Sequence, residues 1–226
     1  MKRNTVNTNP GLFLTLALAL AAQGLQAADT VVYEAQPTGS EMRIDGTATG
    51  KTWACIGKLI AGSFEVEAAW QKDPSLKSVT CLGAGKSPKA EVSIPIRSLK
   101  SQAAVGSSIM DRRMQSEMKA DKFPKIEYKL TEMVVKGEVP ASGSPVTFDA
   151  KGKLAISGVT NEVSFPITME RDGAETLKFK GSYKAKMSAF SITPPEFALM
   201  GIGLKTGDDI TLTWTWTTAL KKAEAK

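Results

Sequence analysis

The sequence predicts an all-β protein, in which about eight antiparallel strands close into a barrel and one short amphipathic helix interrupts them. From residue 63 onward, apolar and polar residues alternate with a period of two, and turns rich in Gly, Pro, Asn and Asp separate the alternating stretches. The chain has 226 residues, 42% of them hydrophobic and 23% charged, which suits one globular domain. Eight strands are enough for a sheet to close and lose its exposed edges.

The first 27 residues have the layout of a secretory signal peptide. Lys2 and Arg3 precede an apolar run at residues 11–22, and small residues follow just before Asp29. This run is shorter than the roughly 20 residues that a membrane-spanning helix needs, and no later run is longer. We therefore expect residues 1–27 to be removed after export, leaving residues 28–226 as a single domain without a transmembrane segment.

The predicted strands follow one another along the whole mature chain. The first two lie around residues 41–47 and 53–70. Lysines and threonines separate the apolar positions, so each strand has one buried and one solvated face, as antiparallel sheets have. Turns are expected at Asp172-Gly173 and at residues 207–209. The apolar positions of the later strands are Val92/Ile94/Ile96, Ile126/Tyr128/Leu130, Val146/Phe148/Ala150/Leu154/Ile156, Val163/Phe165/Ile167/Met169, Leu177/Phe179/Tyr183/Met187 and Ile210/Leu212/Trp214/Trp216.

One segment has helical periodicity instead. Met110, Met114 and Met118 recur at every fourth position, residues 108–111 resemble a capping box, and Pro124 limits the helix to about Lys122. The methionine face has two interpretations. It either packs on the sheet as ordinary core, or it forms a lid over a ligand cavity.

Composition excludes several kinds of chemistry. Histidine is absent and only two cysteines are present, so neither His-dependent catalysis nor a His-ligated or four-thiolate metal site can be built from this chain. Lysines are spread singly along the strands, without the basic cluster and exposed aromatics of a nucleic-acid site. We expect no catalytic residue, no metal, no covalent cofactor and no nucleic-acid partner.

The two cysteines, Cys55 and Cys81, lie 26 positions apart. In the oxidising compartment to which a signal peptide leads, we expect them to form a disulfide that stabilises the fold by about 3 to 4 kcal/mol. The alternative is two free buried thiols. The spacing does not fit a redox Cys-x-x-Cys motif.

Seven short segments resemble the YceI family of exported proteins, in the same order and at similar spacing over about residues 41–218. They are GTATGKTW at 46–53, SIPIRSLKS at 93–101, MDRRM at 110–114, MKADKFPKI at 118–126, GKLAISGVT at 152–160, SAFSITP at 188–194 and GD at 207–208.

The resemblance implies a lipocalin-like barrel in the bacterial periplasm. Its elongated apolar interior would hold the tail of an amphiphilic isoprenoid such as a quinone or a polyprenyl lipid. Two departures concern the headgroup region: Ser191 stands where the family often has glycine, and the early Gly-Thr…Trp segment lacks the histidine that many members carry. A homodimer is left open.

Candidate ligand-binding residues follow from the barrel and the resemblance together. Gly181 and Ala185 are small residues on a bulky inner face, and they either leave space for a ligand or accommodate neighbours such as Trp214. Two alternatives to a lipid carrier stay open: a filled-barrel structural or stress-related envelope protein that acts through protein contacts, and an enzyme acting on a lipid or quinone. The expected ligand-binding residues are Phe64, Met110, Met114, Tyr128, Phe148, Phe165, Phe179, Gly181, Phe190 and Trp214.

Overall fold

Strands dominate the structure, a computed structural model that describes residues 29–140, 144–199 and 202–222. The predicted signal peptide lies outside these residues. The helices are α1 (Ala69–Lys72) and α2 (Ser107–Glu117), and single 3-10 turns occur at Ile96–Ser98 and Ser188–Phe190. The strands are β1 (Thr30–Ala35), β2 (Glu41–Ala48), β3 (Lys51–Gly57), β4 (Ala61–Glu67), β5 (Lys89–Pro95), β6 (Lys100–Ser101), β7 (Lys125–Val135), β8 (Val146–Ile156), β9 (Val159–Asp172), β10 (Thr176–Lys186), β11 (Glu196–Leu199) and β12 (Ile202–Leu220).

The sheet closes on itself. Its strand order is β1-β4-β5-β7-β8-β9-β10-β12, and β12 pairs back with β1, where Tyr33 lies opposite Leu220. The pairings around this ring are antiparallel. The ring therefore has eight members, which confirms the predicted antiparallel barrel.

Three members of the ring consist of two short strands each. Along one edge of β12, β2 pairs with Thr206 to Thr215 and β1 pairs with Thr218 to Leu220, so β2 continues the line of β1. The next member of the ring consists of β3, which pairs with β2, and β4, which pairs with β1. The member after it consists of β6, which pairs with β3, and β5, which pairs with β4. Pro37 lies in the break between β1 and β2, and Pro95 ends β5 before a 3-10 turn. Both positions fit proline, which cannot donate to a ladder.

The alternation predicted from sequence gives the buried face of the barrel. In β8, Val146, Phe148, Ala150, Leu154 and Ile156 are all buried, while the lysines between them are exposed. Strand β12 and the end of β4 depart from the prediction, each for a local reason.

Residues 207–209 form an irregularity inside the long strand β12 and do not end it, so the turn predicted there is wrong. The carboxylate of Asp208 accepts hydrogen bonds from the Ser188 backbone N–H at 2.8 Å and from its hydroxyl at 2.6 Å. These bonds fix the bulge against the neighbouring 3-10 turn, and they lower the pKa of Asp208 because they favour its charged form.

One end of the barrel is closed by the connection between β4 and β5, residues 68–88. Trp70, predicted as a strand residue, lies in α1, where its ring is fully buried and stacks on Phe148 at a centroid distance of 6.0 Å. The Arg171 guanidinium donates to the Trp70 carbonyl at 2.7 Å and lies 5.2 Å from the centre of its ring. The period-two pattern therefore ends at Glu67 because the chain turns to cap the barrel.

Helix α2 packs on β6, and the residues after it pack at the opposite end of the barrel, where Lys119 Nζ donates to the Ser191 carbonyl at 3.3 Å. The helix ends at Glu117, about five residues before the predicted limit near Lys122. The predicted capping box is wrong, since the N-cap is Gly106 (φ 74°) without a side-chain cap. Asp111 instead accepts from the Ser101 backbone N–H at 2.6 Å and so ties the helix to β6. Within the described residues, neither helix has the length and apolar character needed to cross a membrane.

The predicted disulfide is wrong, because Cys55 and Cys81 are both free thiols. Cys55 is buried in β3 opposite Ser101. Cys81 follows Thr80, whose backbone N–H donates to Glu67 at the far end of β4. Twelve positions separate Cys55 from Glu67 along one line of strands, a distance on the order of 30 to 40 Å at about 3.3 Å per residue. A disulfide needs Cα atoms less than about 7 Å apart.

Candidate functional site

An apolar cavity lies in the middle of the barrel. Its volume is about 100 Å³. Among the described residues, the cavity wall contains no charged side chain. The wall residues are Met42, Ile60, Phe64, Ala90, Val92, Ile94, Ile126, Tyr128, Leu130, Met133, Ala150, Leu154, Phe165, Ile167, Phe179, Tyr183, Leu212, Trp214 and Trp216.

Aromatic rings dominate one side of this wall. Phe165, in β9, lies 5.4 Å from Tyr128 and 4.8 Å from Trp214 between ring centroids, and the contact with Trp214 is edge-to-face. Tyr183 adds a fourth ring at 6.0 Å from Phe165. Such pairs contribute about 0.5 to 1.5 kcal/mol each beyond the area they bury. The rings thereby hold this part of the wall in one arrangement.

A second aromatic group forms the floor towards Trp70. Phe64 lies 5.1 Å from Phe179 and 5.3 Å from Trp70, and Phe179 lies 5.6 Å from Trp216. Phe179 and Trp216 are register partners on β10 and β12. They lie two residues along their strands from Gly181 and Trp214, the adjacent pair on the same face. The cavity therefore has two aromatic levels, and Trp70 closes it beneath the lower one.

The electrostatic character of the site follows from its burial. Desolvation raises the pKa of Tyr128, so its hydroxyl stays protonated across the physiological range. Beneath the floor, burial lowers the pKa of Arg171 and raises that of Tyr33, whose hydroxyl faces Arg171 and Gln71. The site offers apolar contact and neutral hydrogen-bonding groups, and no described group of three or more His, Cys, Asp or Glu residues could hold a metal ion.

The structure gathers half of the predicted ligand-binding residues around the cavity. Phe64, Tyr128, Phe165, Phe179 and Trp214 line it. Whether they touch a ligand stays a prediction.

The other five predicted residues lie away from the cavity wall. Phe148 stacks under Trp70, and Phe190 is buried in the second 3-10 turn. Met110 and Met114 belong to α2, where Met114 packs against the core and Met110 Sδ accepts from the Ser101 hydroxyl at 3.6 Å. Gly181 lies behind the Trp214 indole, so of its two interpretations the structure favours accommodation of a large neighbour.

Several wall residues were absent from the sequence-based set, including Trp216, Met133 and Ala150. Trp216 could have been found, because it lies two positions from Trp214 on the same alternating strand. Met133 could not have been found from the alternation, because a register shift between Leu130 and Glu132 in β7 changes which of the following residues face inward.

A closed barrel of eight members around one apolar cavity defines the lipocalin-like class of β-barrels. The family model described as YceI-like domain matches residues 33–217. The chain therefore belongs to the YceI-like family, as the seven segments predicted.

Solved structures share this fold at low sequence identity. BcnA of Burkholderia cenocepacia has a TM-score of 0.58 and 17% identity, over 81% of this chain and 98% of that chain. A polyisoprenoid binding domain from Saccharophagus degradans, implicated in plant cell wall breakdown, has a TM-score of 0.58 and 11% identity, over 84% and 98%. No curated protein sequence matches this chain. At these identities the likeness establishes the fold.

Proposed function

We propose that this protein is exported to the periplasm and binds an amphiphilic isoprenoid lipid, of quinone or polyprenyl type, without catalysing a reaction on it. The observation that carries the proposal is the cavity, whose described wall is apolar and aromatic throughout. Ligand sites are commonly concave, mostly apolar and few per protein. The fold shared with a polyisoprenoid binding domain supports the same ligand class.

The size of the cavity favours a thin, linear guest. Its volume of about 100 Å³ is below the roughly 300 to 1,000 Å³ of typical small-molecule sites. A segment of hydrocarbon chain fits such a space, and a longer tail requires the wall to move. Met42 and Met133 lie in the wall, and unbranched thioether side chains adapt readily to a new neighbour.

Burial of the tail supplies the affinity in this proposal. Each Å² of apolar surface removed from water contributes about 25 cal/mol, so a few hundred Å² give several kcal/mol before the losses of ligand ordering. No catalytic side chain is required for this mechanism.

Native mass spectrometry of the mature protein purified from the periplasm, followed by organic extraction, tests the proposal. We expect a stoichiometric adduct whose extract contains an isoprenoid. A bare mass that stays unchanged after incubation with quinones and polyprenyl lipids would overturn it in favour of the filled-barrel protein that acts through protein contacts.

A cavity-filling variant then locates the site. Ala150→Leu adds volume at a buried wall residue and should lower ligand occupancy. The matched control is Ala120→Leu, since Ala120 is also buried but lies outside the wall. Overpacking costs about 1 to 3 kcal/mol at either position. Loss of occupancy in both variants, or in neither, would place the ligand elsewhere.

A further inference from the structure

Two large apolar side chains are exposed on the segment that begins helix α2. Val105 is 73% exposed and Ile109 is 61% exposed, and Leu59 is the one other exposed large hydrophobic residue of the described chain. Val105 lies just before the N-cap Gly106, a place from which a hydrophobic residue often packs back onto the first turn of its helix. Val105 stays in solvent instead, so the beginning of α2 presents apolar surface that nothing in the fold covers.

The outward face of α2 continues from these residues with positive charge. Arg112 and Arg113 lie three and four positions after Ile109, on the same side of the helix, and all three are exposed. Met110 and Met114 lie on the other side, where Met114 packs against the core and the Met110 sulfur accepts a hydrogen bond from β6. The helix therefore turns its methionines towards the barrel and presents an isoleucine with two arginines to solvent.

The excess positive charge of the domain is concentrated in the segment around this helix. Residues 97–125 contain seven Lys or Arg and three Asp or Glu, a net charge of +4. Residues 28–226 as a whole contain 27 basic and 23 acidic residues, so the domain outside this segment is neutral. Arg112, Lys119 and Lys122 are exposed and form no ion pair with a described carboxylate. One short segment thus combines exposed apolar side chains with the net charge of the domain.

We propose that Val105, Ile109, Arg112 and Arg113, the docking face, bind the protein to the surface of an anionic lipid bilayer. The two aliphatic side chains enter the boundary between headgroups and acyl chains, and the basic residues around them lie level with the lipid phosphates. The residues that follow α2 pack at the end of the barrel opposite the plug formed by residues 68–88. This inference goes beyond the proposed function, because docking requires no ligand in the cavity.

A bilayer suits the docking face better than another protein does. Stable protein interfaces bury about 800 Å² on each partner and have cores enriched in aromatic residues, whereas the docking face is small and contains no aromatic residue. A second copy of the chain would bring a further positive segment against the first, and like charges repel. A membrane requires no matching shape, and it attracts each Lys or Arg near its surface strongly enough to change binding about fivefold.

Co-sedimentation with vesicles tests the charge of the docking face. We expect the mature protein to bind phosphatidylcholine vesicles that contain phosphatidylglycerol about tenfold or more tightly than pure phosphatidylcholine vesicles, and added salt to weaken the binding. Arg112→Gln should reduce the affinity for the anionic vesicles about fivefold. The matched control is Lys153→Gln, which removes one exposed charge of β8 that has no ion pair among the described residues. It should keep the wild-type affinity.

The apolar part of the docking face is tested in the same way. Ile109→Ser should weaken binding to the anionic vesicles about tenfold, because less apolar surface then leaves water on docking. Leu59→Ser is the control, since Leu59 is exposed to a similar extent but lies between β3 and β4, outside residues 97–125. It should bind as the wild type does. Equal losses in Ile109→Ser and Leu59→Ser would contradict the assignment of this face.

Hydrogen–deuterium exchange locates the contact without any substitution. Anionic vesicles should slow amide exchange in residues 102–117 and leave residues 68–88, at the closed end, unchanged. Protection elsewhere with none in residues 102–117 would overturn the inference, as would equal binding to both kinds of vesicle. Absence of vesicle binding would overturn it in favour of a protein with an acidic surface. The proposed function is tested separately, because its isoprenoid adduct is measured without vesicles.

Discussion

The indole of Trp214 lies over Gly181, its register partner across β10 and β12, so closely that a Cβ at Gly181 would be 2.3 Å from Trp214 Cζ2. Gly152 and the Tyr128 ring form a second pair of the same kind, at 2.5 Å. In both pairs a glycine on one strand gives an aromatic ring from the next strand a place along the wall. Two large rings of the cavity wall therefore depend on the absence of a side chain behind them.

The Gly181 contact gives the first prediction. Gly181→Ala should lower the free energy of unfolding by about 1 to 3 kcal/mol, because the new methyl group displaces the Trp214 ring. Urea unfolding followed by tryptophan fluorescence measures this. The control is Gly203→Ala in the same strand as Trp214, where an added Cβ meets nothing within 4 Å and the change should stay within about 0.5 kcal/mol. Equal losses in the two variants would contradict this account of the wall.

The second prediction concerns the closed end of the barrel. Arg171→Ala removes the hydrogen bond to the Trp70 carbonyl and the guanidinium on its ring, so residues 68–88 should exchange amide hydrogens faster. Arg171→Lys keeps the charge but not the planar group, and it should restore only part of the protection. Hydrogen–deuterium exchange with mass spectrometry checks both. Unchanged protection in Arg171→Ala would show that the connection is held without this contact.

The third prediction is a pH dependence in the same connection. The Asp73 carboxylate accepts from the backbone N–H and the hydroxyl of both Ser75 and Ser78, at 2.5 to 2.9 Å, and these bonds hold the pKa of Asp73 well below its usual range. A depressed folded-state pKa stabilises the fold above the unfolded value of about 3.9, and this contribution is lost as the pH falls through the folded-state pKa.

Asp73→Asn should therefore lower the melting temperature at pH 7, and its difference from the wild type should shrink as the pH falls below about 4. Melting curves between pH 2 and pH 7 measure this. Asp149→Asn breaks only an exposed ion pair with Lys136 and serves as the control, with little effect expected at any pH. A difference between Asp73→Asn and the wild type that stays constant with pH would contradict the assignment.

The fourth prediction concerns the thiols. Alkylation of the denatured protein without reductant should label both cysteines, because they are not paired. In the native protein Cys55 should react much more slowly than Cys81. Burial raises the pKa of the Cys55 thiol to about 11, which leaves on the order of one thiolate in a thousand at pH 8, whereas Cys81 is partly exposed. Mass spectrometry counts the additions, and a reduced sample is the control. A protein that takes no label until reductant is added would contain the disulfide after all.

The barrel and half of the candidate site could be predicted because both depend on local periodicity. Alternation with a period of two fixes which side chains of β8 face inward, whatever strands lie beside it. For the same reason Phe165, Phe179 and Trp214 were predicted on the inner face and do line the cavity. The seven segments identified the family by their order and spacing along the chain.

The sequence by itself determined the strand class, the inward face of most strands, the family and the chemistry that is excluded. Only the tertiary structure decided which inward residues meet the cavity and which plug the ends, as Phe148 and Phe190 do. It also decided that the two cysteines lie far apart and that Trp216 Nε1 finds no hydrogen-bond partner among the described residues. The physical reason is that periodicity acts between neighbours in sequence, whereas cavity position, thiol distance and hydrogen-bond partners depend on contacts between distant strands.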